Sequence, residues 1–238
     1  MKLLRTIDSG LSGPKIAILA CVHGDESYSL NVFRRLKKLH LLKGEISFYL
    51  VHPQAFTQKK RFIDEDLNRA FSKDSKSCEG NLTKIIKREL EKFDYVIDLH
   101  STTSKTAPFL IYVNQELKKT GFLDLFFIKK RVFIPNARFS LIFQFNSAVS
   151  LEISVASGMK HAIKRGENVL LSFFANLELI QERKRKVCFP DSYFCLGTMK
   201  KKKSLKDFSL TRSEGEYVYP ILSKEVSYEQ YCFKAKRE

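Results

Sequence analysis

The feature that most constrains this chain is that its short apolar runs end abruptly at polar motifs. Lys15-Ile-Ala-Ile-Leu-Ala-Cys21, set behind Ser12-Gly13-Pro14, is nearly continuous in apolar residues and stops at Val22-His-Gly-Asp-Glu26. A run of this length and continuity suits a strand buried on both faces. Beyond the turn, Leu30, Phe33, Leu36, Leu39 and Leu42 recur at helical spacing, and Gly44 follows as a stop. A second strand is expected over 46–51, broken at His52-Pro53 because proline cannot continue a central ladder. A polar loop to about Gly80, a helix over 82–93 and a strand over 94–99 ending at His100 come next. Strands separated by helices predict an α/β sheet, mainly parallel.

Further strands are expected over 109–113, 131–134, 139–145 and 149–153, with an amphipathic helix over 115–128 and a long one over 161–184. After Arg183-Lys-Arg-Lys186 the pattern changes to short aromatic segments between turns, the mark of a small β-rich appendage. The expected division is a main domain over 1–186 and a β-rich region over 187–238.

Four polar elements stand where strands end: His23-Gly-Asp-Glu26, Arg61 to Arg69, Asp98-Leu-His100 and Leu151-Glu152. In an open α/β sheet, ligands bind beyond the carboxyl ends of the strands, where such loops converge. An H-x-x-E pair alone is weak, since roughly one half of such a pair is expected by chance in this composition. Its setting adds weight: the pair lies in a strand-to-helix loop, and His100 ends another strand. Two imidazoles and a carboxylate leave a fourth position open for water, as in a catalytic zinc site. Taken singly, His23 and His100 also read as hydrogen-bonded polar groups at strand ends, and Glu26 as a residue favoured at a helix N-terminus. Arg69 reads equally as a salt-bridge residue, and Arg61 as one more charge in a basic run. A lone Glu152 in the apolar stretch 148–155 is costly to bury without a role or partner. Asp98 is a candidate acceptor for a ligand histidine, Asp64 and Asp66 are expected to orient their loop, and His40, His52 and His161 are left structural.

The ordered set Cys-Val-His23-Gly-Asp-Glu26, Arg61 ahead of Asp66-Leu-Asn-Arg69-Ala-Phe71, Asp98-Leu-His100-Ser-Thr-Thr103 and Leu151-Glu152-Ile153 resembles the succinylglutamate desuccinylase/aspartoacylase family of zinc-carboxypeptidase-like hydrolases. Pro53-x-Ala55 is similar as well, and the likeness covers about residues 14 to 185. The resemblance implies a three-layer α/β fold, a mixed and mainly parallel sheet with helices on both faces. It implies one zinc ion held by His23, Glu26 and His100, Glu152 as general base, Arg61 polarising the scissile carbonyl, and Asn68 and Arg69 on the substrate carboxylate. The expected activity is hydrolysis of an N-acyl amino acid or similar small amide. Ile153-Ser154 stands where the family has Val-Gly, so the loop after the base is expected to differ. No distal substrate residue aligns, Arg138 and Lys160 being the nearest candidates. The short tail after residue 186 suggests a more open pocket.

Two other readings stay open: a carboxypeptidase acting on a peptide, and a basic polyanion-binding module using Lys184 to Lys186 and Lys200 to Lys203. The net charge of +16 allows steering of anions, but no aromatic-interleaved or DNA-reading element accompanies the lysines. The expected partner is therefore a small anionic substrate, with neither nucleic acid nor membrane, and self-association left open. Five scattered cysteines with no C-x-x-C pair read as reduced thiols. No apolar stretch in 1–13 suits a secretory signal and none elsewhere a membrane span, so the expected location is cytoplasmic.

Overall fold

A computed structural model describes residues 1–72, 75–135 and 137–238. In chain order the elements are β1 (Lys2–Asp8), β2 (Lys15–Ala20), α1 (Tyr28–Leu36), β3 (Glu45–Leu50), α2 (Pro53–Gln58), α3 (Leu67–Ala70), α4 (Cys78–Leu90), β4 (Tyr95–Thr102), β5 (Phe109–Tyr112), β6 (Lys130–Phe133), β7 (Ala148–Ser154), α5 (Met159–Asn176), β8 (Asp191–Lys200), β9 (Thr211–Ser213), β10 (Glu216–Ile221) and β11 (Tyr231–Arg237). The strands join in the order β1-β3-β2-β4-β7-β5-β6-β8-β11-β10-β9. The centre, β3-β2-β4-β7, is parallel; β5 joins β7 antiparallel, and the C-terminal strands form an antiparallel extension from β8. The architecture is thus a mixed α/β sheet, parallel where the motifs lie, with a β-rich C-terminus.

Alternation along each strand splits the core into two layers. Ile16, Ile18, Ile97, Leu99, Val149 and Leu151 face α1 and α5, where Val32, Leu36, Leu170, Phe173 and Phe174 meet them. Ala17, Leu19, Val96 and Ala148 face the other way, toward Leu82, Ile86 and Leu90 of α4. Both faces of the central strands are buried, which is why β2 reads as a continuous apolar run.

Several sequence expectations are corrected. The segment 139–145 is no strand but a 3₁₀ turn at Leu141–Gln144, because β5 already occupies the edge of β7. The helix expected over 115–128 is two 3₁₀ turns split at Gly121, whose φ of +74° ends the first. The helix expected to reach Lys184 stops at Asn176, whose side chain donates to Leu125 O and Arg185 O and accepts from Arg185 N. Likewise α1 ends at Leu36 rather than running on to Leu42. The supposed loop between β3 and α4 contains α2 and α3. Strand β1 was invisible to periodicity: it is an exposed edge paired antiparallel with β3, and only Leu4 and Ile7 pack inward. Among the described residues, no helix is long and apolar enough to cross a membrane.

Candidate metal and catalytic site

The site forms where β2, β4 and β7 end side by side. The turn after β2 is held down by Gly24, whose N–H donates to Arg61 O at 3.1 Å. A Cβ at Gly24 would lie 2.3 Å from Ala55 C and 2.4 Å from Phe56 N, so only glycine lets this turn pack on α2. That contact places His23 and Glu26 over the strand ends. In the parallel ladder His100 pairs with Glu152 and Asp98 with Ser150, which puts His100 and Glu152 on neighbouring strands and on one face.

His23, Glu26 and His100 converge. Glu26 Oε1 lies 2.7 Å from His23 Nδ1 and Oε2 lies 3.2 Å from His100 Nδ1, and Oε2 also accepts from Ser101 N at 2.6 Å. The ring centroids of the two histidines are 4.8 Å apart. The outer nitrogens have carboxylate partners as well: His100 Nε2 to Asp98 Oδ2 at 2.7 Å, and His23 Nε2 to Asp66 Oδ1 at 3.4 Å. Sequence reasoning anticipated Asp98 in that position. It missed Asp66, which holds the loop through Asn68 N at 2.9 Å but also faces His23.

These contacts decide the charges. Burial opposes ionisation of Glu26, yet His100 and His23 outweigh it and hold the carboxyl far below its usual range. Burial likewise disfavours charge on both imidazoles; Glu26 with Asp66 raises His23, and Asp98 with Glu26 raises His100 strongly. Glu152 has no such partner: burial pushes its carboxyl up to about 7, despite the pull of His100.

Arg61 is held by Asp66 Oδ2, which accepts from Nε and Nη2 at 3.3 Å, while Nη1 reaches Glu26 Oε1 at 3.4 Å. Asn68 Oδ1 accepts from Leu141 N at 3.0 Å, leaving its NH₂ group to donate elsewhere. The Arg69 guanidinium lies 4.2 Å above the Phe139 ring. All seven residues singled out in the sequence line one cavity of about 290 Å³. Arg138 is exposed and does not line it, nor does Lys160. At the departure from the family pattern, Ile153 packs in the core and Ser154 Oγ accepts from Ala156 N, so β7 runs one residue beyond Ile153.

The C-terminal segment, short as it is, also walls the cavity, through Leu222, Glu225, Ser227, Tyr228 and Phe233. The Ser101 to Ser104 stretch after His100 clasps it. Thr103 N donates to Glu225 Oε2 at 2.9 Å, Thr103 Oγ1 to Lys224 O at 2.9 Å, and Lys224 N to Ser104 Oγ at 2.7 Å. Burial, with Glu152 nearby, pushes the Tyr228 hydroxyl up to about 12. No local sequence signal marks these residues, because they reach the site only through long-range pairing. Behind the site, Glu79 is fully buried and accepts from His52 Nε2 at 2.8 Å, Ile63 N at 2.7 Å, Asp64 N at 3.2 Å and Glu65 N at 3.3 Å. It thereby fixes the backbone between Arg61 and Asp66. Asp64 accepts from Cys78 N at 2.7 Å at the start of α4.

The fold and site define a mixed α/β protein, parallel at its centre, in which His23, Glu26 and His100 cluster at the carboxyl ends of the strands and could hold a metal ion. Solved structures share the fold. Murine aminoacylase 3 superposes with a TM-score of 0.74 over 95% of this chain and 96% of its own, at 18% identity. A succinylglutamate desuccinylase/aspartoacylase from Rhodobacter sphaeroides gives 0.70 over 98% and 80%, at 14% identity. The model of the succinylglutamate desuccinylase/aspartoacylase catalytic domain matches residues 12–126, just under half of the chain. Among curated relatives, a "Probable aspartoacylase" of Trichodesmium erythraeum is 32% identical over 115 residues, 42% of this chain and 39% of that protein. An N-acyl-aromatic-L-amino acid amidohydrolase (carboxylate-forming) of Danio rerio is 26% identical over 157 residues, 58% of this chain and 48% of that protein. The matched stretches thus span about two fifths and one half of these relatives.

Proposed function

We propose that this chain is a zinc-dependent hydrolase that cleaves the amide bond of an N-acyl amino acid. The observation that carries the reading is the meeting of His23 Nδ1, His100 Nδ1 and the Glu26 carboxylate, with Glu152 on the adjacent strand. The ligand atoms of His23, Glu26 and His100 all lie within 4.8 Å of one another. Two imidazole nitrogens and one carboxylate are the donor set of a catalytic zinc site, and carboxylates behind both rings are the usual support for such ligands. The residues therefore fit the ion. When bound, zinc acidifies water and polarises a carbonyl.

The chain's own groups do the remaining work. Glu152 takes a proton from the attacking water and returns it to the leaving nitrogen, the two transfers a positioned carboxyl can serve in turn. Arg61, steered by Asp66, donates to the carbonyl oxygen as negative charge develops there. The Arg69 guanidinium and the Asn68 NH₂ group bind the substrate carboxylate, for which a planar fork is well shaped. The small cavity, walled by residues 222–233, favours a small amide over a peptide substrate. The net positive charge assists capture of such an anion. The five free thiols support a reducing, cytoplasmic setting.

The test is incubation of the zinc-loaded chain with N-acyl amino acids and with short peptides, measuring released amine by mass spectrometry. Release from N-acyl amino acids is expected, and elemental analysis should find one zinc per chain in the native protein and none in His100→Ala. A chain that holds one zinc yet releases no amine from any N-acyl amino acid refutes the reading.

A further inference from the structure

From the cavity wall we infer that the substrate's amino acid carries an apolar side chain rather than a second carboxylate. The inference rests on the hydrolase reading above and specifies what that site accepts.

The cavity lining is of two kinds. Its polar part is the histidine–glutamate cluster, Arg61, Asp66, Asn68 and Arg69. Its apolar part is Ile111, Val113, Ile134, Phe139, Ile142 and Leu222, of which Ile111, Val113, Ile142 and Leu222 are buried and Phe139 lies beneath the Arg69 guanidinium. Among the described residues lining the cavity, the only side chains carrying positive charge independent of protonation are Arg61 and Arg69. Arg61 is already paired through three of its nitrogens with Asp66 and Glu26. Arg69 then serves the one carboxylate that every N-acyl amino acid has. Among the described residues lining the cavity, no further arginine or lysine remains for a second.

The wall also contains Glu225. Burial opposes its ionisation, but hydrogen bonds from Thr102, Ser227 and Thr103 outweigh it and keep the carboxyl below its usual range. A side-chain carboxylate would therefore lose its water against aliphatic groups and face an anion, which is the costly way to bury a charge. An aliphatic or aromatic side chain there gains from leaving water and from contact with the same groups. The wall thus selects against the acidic amino acid that an aspartoacylase's name implies.

The experiment compares kcat/KM of the zinc-loaded full chain for N-acetyl-L-phenylalanine, N-acetyl-L-leucine, N-acetyl-L-aspartate and N-acetyl-L-glutamate. The apolar pair is expected to exceed the acidic pair by about 100-fold or more. Equal or reversed preference overturns this inference while leaving the hydrolase reading intact. Absence of turnover with all four refutes the hydrolase reading instead, and calorimetric binding then decides the inference. In that arm the zinc-loaded Glu152→Gln protein should bind N-acetyl-L-phenylalanine more tightly than N-acetyl-L-aspartate, and the reverse order overturns it. A second variant, Ile134→Arg, puts a cation in the wall at a half-buried position. It should shift the apolar-to-acidic ratio toward the acidic substrates by at least tenfold, and an unchanged ratio removes Ile134 from the specificity wall.

Discussion

Glu79 offers the sharpest test of how the site is built, because it touches none of the seven residues at the centre yet holds their loop. In Glu79→Gln, the retained oxygen can still accept from Ile63 N and His52 Nε2, while the new NH₂ group replaces the acceptor of Asp64 N and Glu65 N. An unpaired buried donor costs about 1–3 kcal/mol, and these two N–H groups sit in a partly buried loop, so the low end applies to each and the loss is about 2 kcal/mol. Glu79→Ala strands all four donors and should cost about 3–5 kcal/mol. Urea denaturation at pH 7 reads both. The sign with pH is also fixed. Burial raises the Glu79 carboxyl, but His52 and the backbone N–H groups outweigh it and lower the pKa. Its contribution is therefore present above the unfolded value of about 4.5 and is lost as pH falls through the lower folded value. The gap between wild type and Glu79→Gln should hold from pH 8 to pH 5 and close below that. Turnover should fall further than the unfolded fraction explains, because Arg61 and Asp66 are set by the same backbone. A gap under about 0.5 kcal/mol at pH 7, or one that widens on acidification, would refute the reasoning.

Other perturbations follow from the same geometry. Glu152→Gln should retain zinc and lose about 10²–10⁴ in kcat, and full activity in that variant would remove Glu152 from the chemistry. With its carboxyl raised to about 7 when folded, Glu152 makes the metal-free protein lose stability as pH rises from about 4.5 to 7; chelator-treated Glu152→Gln should lack that part of the decline in thermal melts. Because His23 and His100 have raised pKa values in the metal-free protein, zinc uptake at pH 7 should release up to two protons, seen as a dependence of the calorimetric heat on buffer ionisation enthalpy. Thr103→Val removes a donor to Lys224 O and the acceptor of Val226 N, and should raise KM and speed proteolysis near residues 222–228, while costing about 1 kcal/mol in stability.

What the sequence determined by itself was local: the buried central strands, the loop at His23-Gly-Asp-Glu26 that ends the first of them, and the polar residues at strand ends, while the helix expected over 82–93 begins four residues earlier, at Cys78. The first of these has a short-range physical signature, a continuous apolar run that stops at polar residues. Which polar residues share a cavity was legible only in part, since parallel pairing brings His100 beside Glu152 across 52 positions in the chain. Tertiary structure alone decided the rest. It turned the strand-like alternation of 139–145 into a 3₁₀ turn because the neighbouring edge was taken, and it made an exposed strand of residues 2–8 that bury little. It also drew Leu222, Glu225 and Tyr228 over the site through hydrogen bonds to Thr103 and Ser104. Those outcomes depend on competition for strand edges and on contacts more than a hundred residues apart, which no local pattern encodes.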